Sequence, residues 1–534
     1  MPKLTIDGRA LDVPKGTTVI QAARQLGVEV PHYCWHPGLS VAGNCRVCLV
    51  EVEGMPTLQI ACNLPVADNM VVRTASDKAK RGRADIMELL LINHPLDCPI
   101  CDQAGECKLQ EYSFRIGNDR SRFDFPKVHK PKHVRFSDKV MFDAERCILC
   151  TRCVRFMDEV AKSDELDISN RGDRNEISVK RGGELESPYQ MNIIDVCPVG
   201  ALTSADFRFK SRVWFLESTK TVCASCSRGC NVVVGSRWNK ILRLIPRENQ
   251  AVNKWWMCDD GRAGYKHVAA DDRLGAPMVR KDGKLVEVSW DEAIAAAAKG
   301  LQHAKDDLLA VVSARLTNEE IWQALKLCDR IGTPHRDVKP RAWPKDDMLR
   351  TGDGNPNSAG AKILGVGPRS GGASLATFAA QNLAGAALFG EDLDDRPDAL
   401  AALAKLPFVL VIDSRETETI RRAAHVVLPG LTAYEKDGSF TNVTGRVQRI
   451  IPCVRAPGDA WPDWKILGAL RAAVEGAAKP RSAGEVFQQM AADVPAFAGM
   501  THGRLGEHGL DVNRGGPSDA PGSPAPAAPA GRSA

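Results

Sequence analysis

The sequence lacks the features that mark membrane-spanning, secreted and nucleic-acid-binding chains. No apolar run approaches the roughly 18 residues of a transmembrane helix. The start, MPKLTIDGRAL, has neither a signal-peptide apolar core nor an Arg/Ser-rich transit pattern. The 71 basic and 66 acidic side chains leave a net charge of +5, which is too small to indicate a nucleic-acid partner. No G-x-G-x-x-G turn follows a strand pattern, so no dinucleotide-binding fold is predicted. From the length of the chain we expect several domains. Because no secretion signal is found, we expect the protein to lie in a reducing compartment.

Cysteine is the residue that the sequence has in excess. All but two of the 17 cysteines lie between Cys34 and Cys258, and His94 lies at ligand spacing among them. In a reducing compartment, clustered cysteines predict metal or redox sites and not disulfides. They form four sets of four soft ligands, the number that an iron–sulfur cluster needs. The first set is Cys34, Cys45, Cys48 and Cys62; the second is His94, Cys98, Cys101 and Cys107; the third is Cys147, Cys150, Cys153 and Cys197; the fourth is Cys223, Cys226, Cys230 and Cys258.

The spacing within the sets favours iron–sulfur clusters over structural zinc. A lone Cys-x2-Cys pair is a weak signal, because zinc sites share it. The first set has only one such pair, which suits a [2Fe–2S] cluster. The third carries the Cys-x2-Cys-x2-Cys run of bacterial ferredoxins. In two-cluster ferredoxins the cysteine before proline binds the other cluster, so the distant Cys197-Pro198 indicates that only one of the two clusters remains here. The fourth set suits a [4Fe–4S] cluster. His94 completes the second set, because no fourth cysteine is near; the alternative is a helix-capping histidine. Cys328 and Cys453 are left over and are interpreted as inert buried thiols.

Hydrophobic patterning predicts the elements around these sets. Strands at 4–6 and 10–13 flank an Asp7-Gly8 turn, and a helix at 19–26 begins after Thr18. This pattern predicts a small α+β ferredoxin domain. A second helix, within 77–93, ends at His94-Pro95.

The composition and the hydrophobic pattern change in the later part of the chain. Residues 115–139 are basic and lack apolar periodicity. We interpret them as a linker that wraps a neighbouring domain or subunit; nucleic-acid binding is the weaker alternative. Strands are expected at 231–234 and 241–245. Beyond about residue 287, alanine-rich helices such as 290–299 alternate with apolar runs such as 408–412, which predicts an α/β domain with a parallel sheet. No local prediction is made for 340–375.

Three strings carry a specific resemblance: CRVCLVE at 45–51, HPLDCPICDQAGEC at 94–107 and CPVGAL at 197–202. With the order of the first three sets, they resemble the large iron–sulfur subunits of respiratory complex I, the NADH:quinone oxidoreductase, over residues 1 to about 270. The resemblance implies one [2Fe–2S] cluster on the first set and [4Fe–4S] clusters on the second and third, which carry electrons from a flavin subunit toward quinone. The fourth set resembles an extra [4Fe–4S] site of some bacterial members, thought to lie off the main path.

Beyond Cys258 the chain resembles molybdopterin oxidoreductases. The strings are DDGR at 259–262, WDEAI at 290–294, HVVLP at 425–429 and GSFTNVTGRVQ at 438–448. The sequence departs from active enzymes, because Asp260 replaces their usual lysine and no cysteine lies near Trp343 to bind a metal. The resemblance therefore implies a shortened domain that is structural, without molybdopterin.

Taken together, these observations predict a multidomain α+β and α/β protein with no residue acting as acid, base or nucleophile. The implied partners are a flavin/NADH-binding subunit, a thioredoxin-like [2Fe–2S] subunit, quinone-side iron–sulfur subunits and, indirectly, a membrane arm, with no nucleic acid. The implied place is peripheral, on the cytoplasmic side of the bacterial inner membrane. The expected domains are a β-grasp [2Fe–2S] ferredoxin domain at 1–77, a [4Fe–4S] domain with one histidine and three cysteine ligands at 78–118, the basic linker with a ferredoxin-like [4Fe–4S] domain at 119–217, a fourth [4Fe–4S] domain at 218–275, the shortened molybdopterin-oxidoreductase-like α/β domain at 276–514, and a disordered tail, rich in Gly, Pro, Ser and Ala, at 515–534.

Three alternatives stay open at this point. The first is an electron-input iron–sulfur subunit of an NAD-linked hydrogenase or formate dehydrogenase, which shares the first three sets. The second is a molybdenum or tungsten enzyme that acts alone. The third is a zinc-stabilised scaffold without redox activity.

Overall fold

The computed structural model describes residues 1–513 and contains two compact units, residues 1–216 and the part that begins at Glu217. The tail that the sequence predicts to be disordered, 515–534, lies outside the described residues. Within the described range, no helix combines the length and the apolar character that crossing a membrane requires.

The first unit contains short strands and helices separated by long loops. Its strands are β1 (Lys3–Ile6), β2 (Arg9–Asp12), β3 (Leu49–Val52), β4 (Gln59–Ile60), β5 (Met70–Arg73), β6 (Val134–Arg135), β7 (Val140–Phe142), β8 (Leu166–Ser169), β9 (Glu176–Val179) and β10 (Leu202–Ser204). Its helices are α1 (Val19–Gln25), α2 (Asp77–Leu91), α3 (Lys108–Ile116), α4 (Arg152–Arg155), which continues into a π-turn at Phe156–Val160, and α5 (Asn192–Val196).

A five-stranded sheet of order β2-β1-β5-β3-β4 forms the N-terminal β-grasp domain. Its first hairpin turns at Asp7 and Gly8, with φ of 46° and 81°, which the predicted Asp-Gly turn allows. Thr18 and Gln21 form a capping box at the start of α1, and Gly27 follows the helix with φ of 69°. The predicted strands and helix are thus confirmed to within a residue or two.

The predicted linker packs against its own unit. From 117 to 133 the chain has neither helix nor strand. The Arg122 guanidinium pairs with the buried carboxylate of Glu88 in α2. Nζ of Lys127 donates to the carbonyl oxygen of Leu91 at 2.9 Å, at the end of the same helix. The basic residues therefore cover the end of α2, and the interpretation of the segment as a linker between domains stays a prediction.

The second unit is larger and contains the predicted parallel sheet. Its strands are β11 (Glu217–Val222), β12 (Asn231–Arg237), β13 (Lys240–Pro246), β14 (Met278–Lys281), β15 (Lys284–Glu287), β16 (Leu308–Val312), β17 (Arg336–Asp337), β18 (Ala342–Lys345), β19 (Thr351–Asp353), β20 (Gly385–Phe389), β21 (Val409–Asp413), β22 (Val426–Pro429), β23 (Gly438–Thr441), β24 (Arg446–Ile450) and β25 (Leu510–Asp511). Its helices are α6 (Asp259–Ala263), α7 (Trp290–Ala304), α8 (Asn318–Ile331), α9 (Ser358–Leu364), α10 (Pro397–Leu403), α11 (Glu418–Ala423), α12 (Asp463–Glu475), α13 (Ala483–Asp493) and α14 (His502–Leu505).

A seven-stranded sheet of order β15-β14-β22-β21-β20-β16-β17 organises this unit. The five strands from β22 to β17 are parallel, while β14 and β15 continue the sheet antiparallel. Every residue of β16, β20 and β21 is buried, as a sheet covered on both faces requires. Chain order reverses between β16 and β20, the switch point at which doubly wound sheets bind ligands beyond their carboxyl ends.

A fully buried ionic triad joins α8, α12 and the loop between β22 and β23 in the second unit. Nζ of Lys436 lies 2.9 Å from Oε2 of Glu320 and 2.7 Å from Oδ2 of Asp463. Glu320 belongs to the capping box that starts α8, and Asp463 is the first residue of α12. Burial raises the pKa of Glu320 to about 7, against the opposing charge of Lys436. Two carboxylates thus share one buried cation.

Candidate iron–sulfur sites

The first ligand set is collected by the loop between α1 and β3 and by the turn after β4. All four cysteines, Cys34, Cys45, Cys48 and Cys62, are buried. The thiol of Cys34 contacts those of Cys45 and Cys62, and Cys48 contacts Cys62. These contacts lower the pKa of Cys34 and raise that of Cys62. The fold therefore brings the whole predicted set together.

The second set surrounds a cavity between the ends of α2 and α3. His94, Cys98, Cys101 and Cys107 all line this cavity. Nδ1 of His94 is buried without a hydrogen-bond partner, so this nitrogen caps no carbonyl group. Burial and the positive charge of Arg146 lower the pKa of His94 to about 4. The ring is therefore neutral at physiological pH, as a metal-binding imidazole must be.

The third set encloses its own cavity. Cys147, Cys150, Cys153 and Cys197 line it together. Leu149 adopts a left-handed φ of 52°, which turns the three-cysteine loop. Burial raises the pKa of each of these thiols, that of Cys197 to about 12. Because burial opposes the thiolate, a bound cation is needed to stabilise it here.

The fourth set lies in the second unit, around the turn between β11 and β12 and the start of α6. Burial raises the pKa of all four thiols. Cys223 donates its backbone N–H to the carbonyl of Cys230 at 2.8 Å. Sγ of Cys258 accepts from the backbone N–H of Gly261 at 3.3 Å. Backbone amides that point at cysteine sulfur are the contacts that tune iron–sulfur clusters.

Two glycines let the backbone approach the sulfur atoms closely. A Cβ at Gly200 would lie 2.2 Å from Sγ of Cys101. A Cβ at Gly261 would lie 3.1 Å from Sγ of Cys223 and 3.3 Å from Sγ of Cys258. The donor chemistry and these close approaches fit clusters at the second and fourth sets. Among residues 1–513, no three His, Cys, Asp or Glu side chains form a group that would hold a single metal ion.

Substituting Gly200 with alanine is expected to disturb the second site through steric conflict alone. The new methyl group would overlap the sulfur of Cys101, and overpacking of this kind costs about 1–3 kcal/mol. We expect a lower free energy of unfolding and less iron per chain. Gly183→Ala is the matched control, because its Cβ would meet only a carbonyl oxygen at 3.8 Å. Equal iron content in the two variants would contradict this prediction.

The first three sets are neighbours within the first unit. Nδ2 of Asn44, next to Cys45, donates to the carbonyl of Leu149 in the third set's loop at 3.0 Å. The backbone N–H of Lys108, next to Cys107, donates to the carbonyl of Pro198 at 3.1 Å. Direct hydrogen bonds therefore join the third set's loops to those of the first and second.

Sequence patterning missed the hairpin that packs on the fourth set. Strands β18 and β19 lie in the region for which no prediction was made. Ser227, between two ligands, donates its backbone N–H to the carbonyl of Asp353 at 3.0 Å. Asp260, noted in the sequence only as a departure from active enzymes, pairs with Arg350 of this hairpin. Strands of three or four residues are too short to give a periodic signal, so nothing in the sequence pointed to this contact.

A larger cavity, of about 530 Å³, opens beyond the carboxyl ends of β16, β20 and β21. About half of its lining residues are charged, among them Arg315, Asp392, Asp413 and Arg415. It lies at the switch point of the sheet, where doubly wound folds bind ligands. The prediction that the domain holds no molybdopterin stays a prediction.

Comparison with protein families matches every segment that carries a ligand set. Residues 2–77 match a 2Fe-2S iron-sulfur cluster binding domain, 83–122 the NADH-ubiquinone oxidoreductase-G iron-sulfur binding region, and 137–203 the ferredoxin-like domain of NADH-quinone oxidoreductase subunit 3. Residues 216–270 match the molybdopterin oxidoreductase Fe4S4 domain, and 273–339 and 323–473 match molybdopterin oxidoreductase. The fold and these domains define a multidomain iron–sulfur protein with a molybdopterin-oxidoreductase-type C-terminal region.

Curated relatives narrow this class. The G subunit of NADH-quinone oxidoreductase from Streptomyces coelicolor is 43% identical over 342 residues, covering 64% of this chain and 40% of that protein. The counterpart from Rickettsia conorii is 39% identical over 352 residues, covering 66% of this chain and 52% of that protein. The counterpart from Mycobacterium bovis is 40% identical over 350 residues, covering 64% of this chain and 43% of that protein. The chain is thus similar to these G subunits over about two thirds of its own length, and it spans about half the length of these relatives or less.

Among solved structures, the chain is similar to one from an NAD+-reducing [NiFe]-hydrogenase in its H2-reduced state. The match has 30% identity and a TM-score of 0.36, and it covers 40% of this chain and 91% of the other.

Proposed function

We propose that this chain is the electron-transferring iron–sulfur subunit of a bacterial NADH:quinone oxidoreductase, complex I. It would pass electrons from a flavin subunit toward quinone. The contacts that join the loops of the first three ligand sets carry this proposal. A chain of clusters conducts only if its members are close, and here the loops bond to one another directly.

The cofactors proposed are one [2Fe–2S] cluster on the first set and one [4Fe–4S] cluster on each of the other three. When bound, they supply one-electron transfer. The protein residues exclude water, fix the spacing and adjust the potentials through ligand type and hydrogen bonds. Most of the thiols are buried, and the His94 ring is kept neutral, which suits both tasks. No side chain needs to act as an acid, a base or a nucleophile.

An exposed apolar surface beside the second set suits contact with a partner protein. Cys98 is the exposed cysteine among the ligands of the four sets. Its neighbours Leu96 and Ile100 are 88% and 62% exposed, and large exposed apolar side chains side by side favour a protein interface. The partners proposed are the flavin/NADH-binding subunit, the thioredoxin-like [2Fe–2S] subunit and quinone-side iron–sulfur subunits. The complex would lie on the cytoplasmic side of the inner membrane.

The C-terminal domain is proposed to be structural. Asp260, which replaces the usual lysine two residues after Cys258, forms an ion pair with Arg350. No cysteine lies near Trp343 to bind a metal. The fourth cluster would then have no pterin to exchange electrons with.

Purification of the tagged chain from its own membranes, in mild detergent and without air, tests this function. We expect about fourteen iron atoms per chain, the sum for one [2Fe–2S] and three [4Fe–4S] clusters, with a flavin subunit and polytopic membrane subunits. A nickel–iron hydrogenase or formate dehydrogenase subunit without a membrane arm would redirect the proposal to a soluble enzyme. An iron-free chain that contains zinc would overturn it, and stoichiometric molybdenum or tungsten would overturn the structural role of the C-terminal domain.

A further inference from the structure

Two arginines of α4 link the first and third ligand sets. The guanidinium of Arg152 donates to the carbonyl of Val196, next to Cys197, at 3.1 Å and to the carbonyl of Trp35, next to Cys34. The guanidinium of Arg155 donates to the carbonyl of Cys34 at 2.6 Å and to that of Cys150 at 3.2 Å. Each side chain therefore bonds to both sets at once.

These two cations have no carboxylate partner within residues 1–513. All their acceptors are backbone carbonyls, apart from the hydroxyl of Thr151, which accepts from Arg155. Arg152 is only 9% exposed, and its Nε is buried without a hydrogen-bond partner. A buried charge is costly unless an opposite charge compensates it. The groups that interact electrostatically with Arg152 are cysteines of the ligand sets, namely Cys150 and Cys197 of the third and Cys34 and Cys45 of the first, so a bound thiolate-ligated cluster would supply the opposite charge.

Resting on the proposed function, we infer that Arg152 and Arg155 are positioning residues that raise the reduction potentials of the first and third clusters together. Reduction adds negative charge to a cluster. A fixed positive charge nearby, in a poorly polarisable interior, stabilises the reduced form of both clusters. Because the same guanidinium groups tie both loops, the two potentials are adjusted jointly and the spacing between the sites is held constant.

A purely structural role would have a different signature. If the arginines only hold the loops, then a neutral donor of similar reach preserves the clusters and leaves their potentials unchanged. If their charge matters, a neutral donor lowers both potentials, and lysine restores them in part because it keeps the charge. The potential, and not the activity, therefore distinguishes the two roles.

The experiment is an anaerobic redox titration of the cluster-loaded full chain, followed by electron paramagnetic resonance. Arg152→Gln and Arg155→Gln are each expected to lower the potentials of the first and third clusters. We expect at least a tenfold fall in the ratio of reduced to oxidised cluster at a fixed potential, which is about 59 mV for one electron. Arg152→Lys should lie between Arg152→Gln and the parent protein.

Arg83→Gln is the matched control. Arg83 is also buried, but it bonds to the carbonyl of Leu49, next to Cys48, and so touches the first set alone. Its substitution should leave the third cluster's potential unchanged. If Arg152→Gln loses its clusters, Arg155→Gln still tests the inference, because Arg155 is only half-buried and its substitution disturbs the fold less. Clusters that are retained with unchanged potentials in the arginine variants would overturn this inference alone, whereas a parent chain without iron–sulfur signals would overturn the proposed function.

Discussion

Substituting Cys197 with alanine is expected to abolish the third cluster and to interrupt electron flow to quinone. Cys197 is the one ligand of its set that comes from outside the local cysteine run, and it closes the cavity lined by Cys147, Cys150 and Cys153. Because the third set's loops bond to those of the first and second, losing this cluster would remove the middle of the proposed path. We expect four fewer iron atoms per chain and a fall of at least about 100-fold in NADH:quinone reductase activity, since even outer-shell changes cost 10–100-fold.

Cys328→Ala provides the matched comparison. Cys328 is fully buried in the second unit and belongs to no ligand set. Its substitution should leave the iron content and the activity near those of the parent, with a small loss of stability. A Cys197→Ala complex that keeps its full iron content and turns over normally would show that Cys197 is not a ligand.

Substituting Lys436 with methionine is expected to destabilise the second unit by about 3–5 kcal/mol. Methionine fills a similar volume but leaves the carboxylates of Glu320 and Asp463 buried without their cation, which costs this much in other proteins. Denaturant unfolding would measure the loss. Lys281→Met is the control, because Lys281 and Glu292 are each about half exposed, and such pairs contribute roughly 0–1 kcal/mol.

The loss should also depend on pH, with a definite sign. Burial already raises the pKa of Glu320 to about 7, and removal of Lys436 raises it further. A carboxyl whose folded pKa lies above its unfolded value favours folding at low pH and loses that contribution as the pH rises through the folded value. Lys436→Met should therefore destabilise more at pH 8 than at pH 5. An equal loss at both values would show that the two carboxyl groups do not carry the buried charge.

Local signals predicted local structure well. The Asp7-Gly8 hairpin, the capped helix α1 and the end of α2 before Pro95 all depend on residues within a few positions of each other. The strands β12 and β13 extend further than expected, and α7 continues beyond the predicted 299 to Ala304. Strand order could not be predicted in this way, because the place of β20 between β16 and β21 depends on contacts between distant segments.

The ligand sets were visible because few residues other than cysteine can serve a cluster, so spacing alone carried information. Their supporting residues left no such trace. Arg152 and Arg155 bond to backbone carbonyls, which every residue possesses, and Gly200 matters only because Cys101, distant in sequence, lies against it. The sequence identifies a binding chemistry when it depends on rare side chains, and misses interactions made through the common backbone.

The linker that covers the end of α2 is expected to make the second site open at a different rate from the first and third sites. Lys127 holds the last turn of the helix that leads to His94, and Arg122 clasps the same helix, yet both belong to a peripheral segment without regular structure. A segment of this kind opens locally far more often than its unit unfolds. Exchange of iron with a chelator, or cleavage by a protease at the linker, would then begin at the second site while the first and third remain closed. Opening of this mostly exposed segment is therefore expected to limit how long the proposed second cluster is retained.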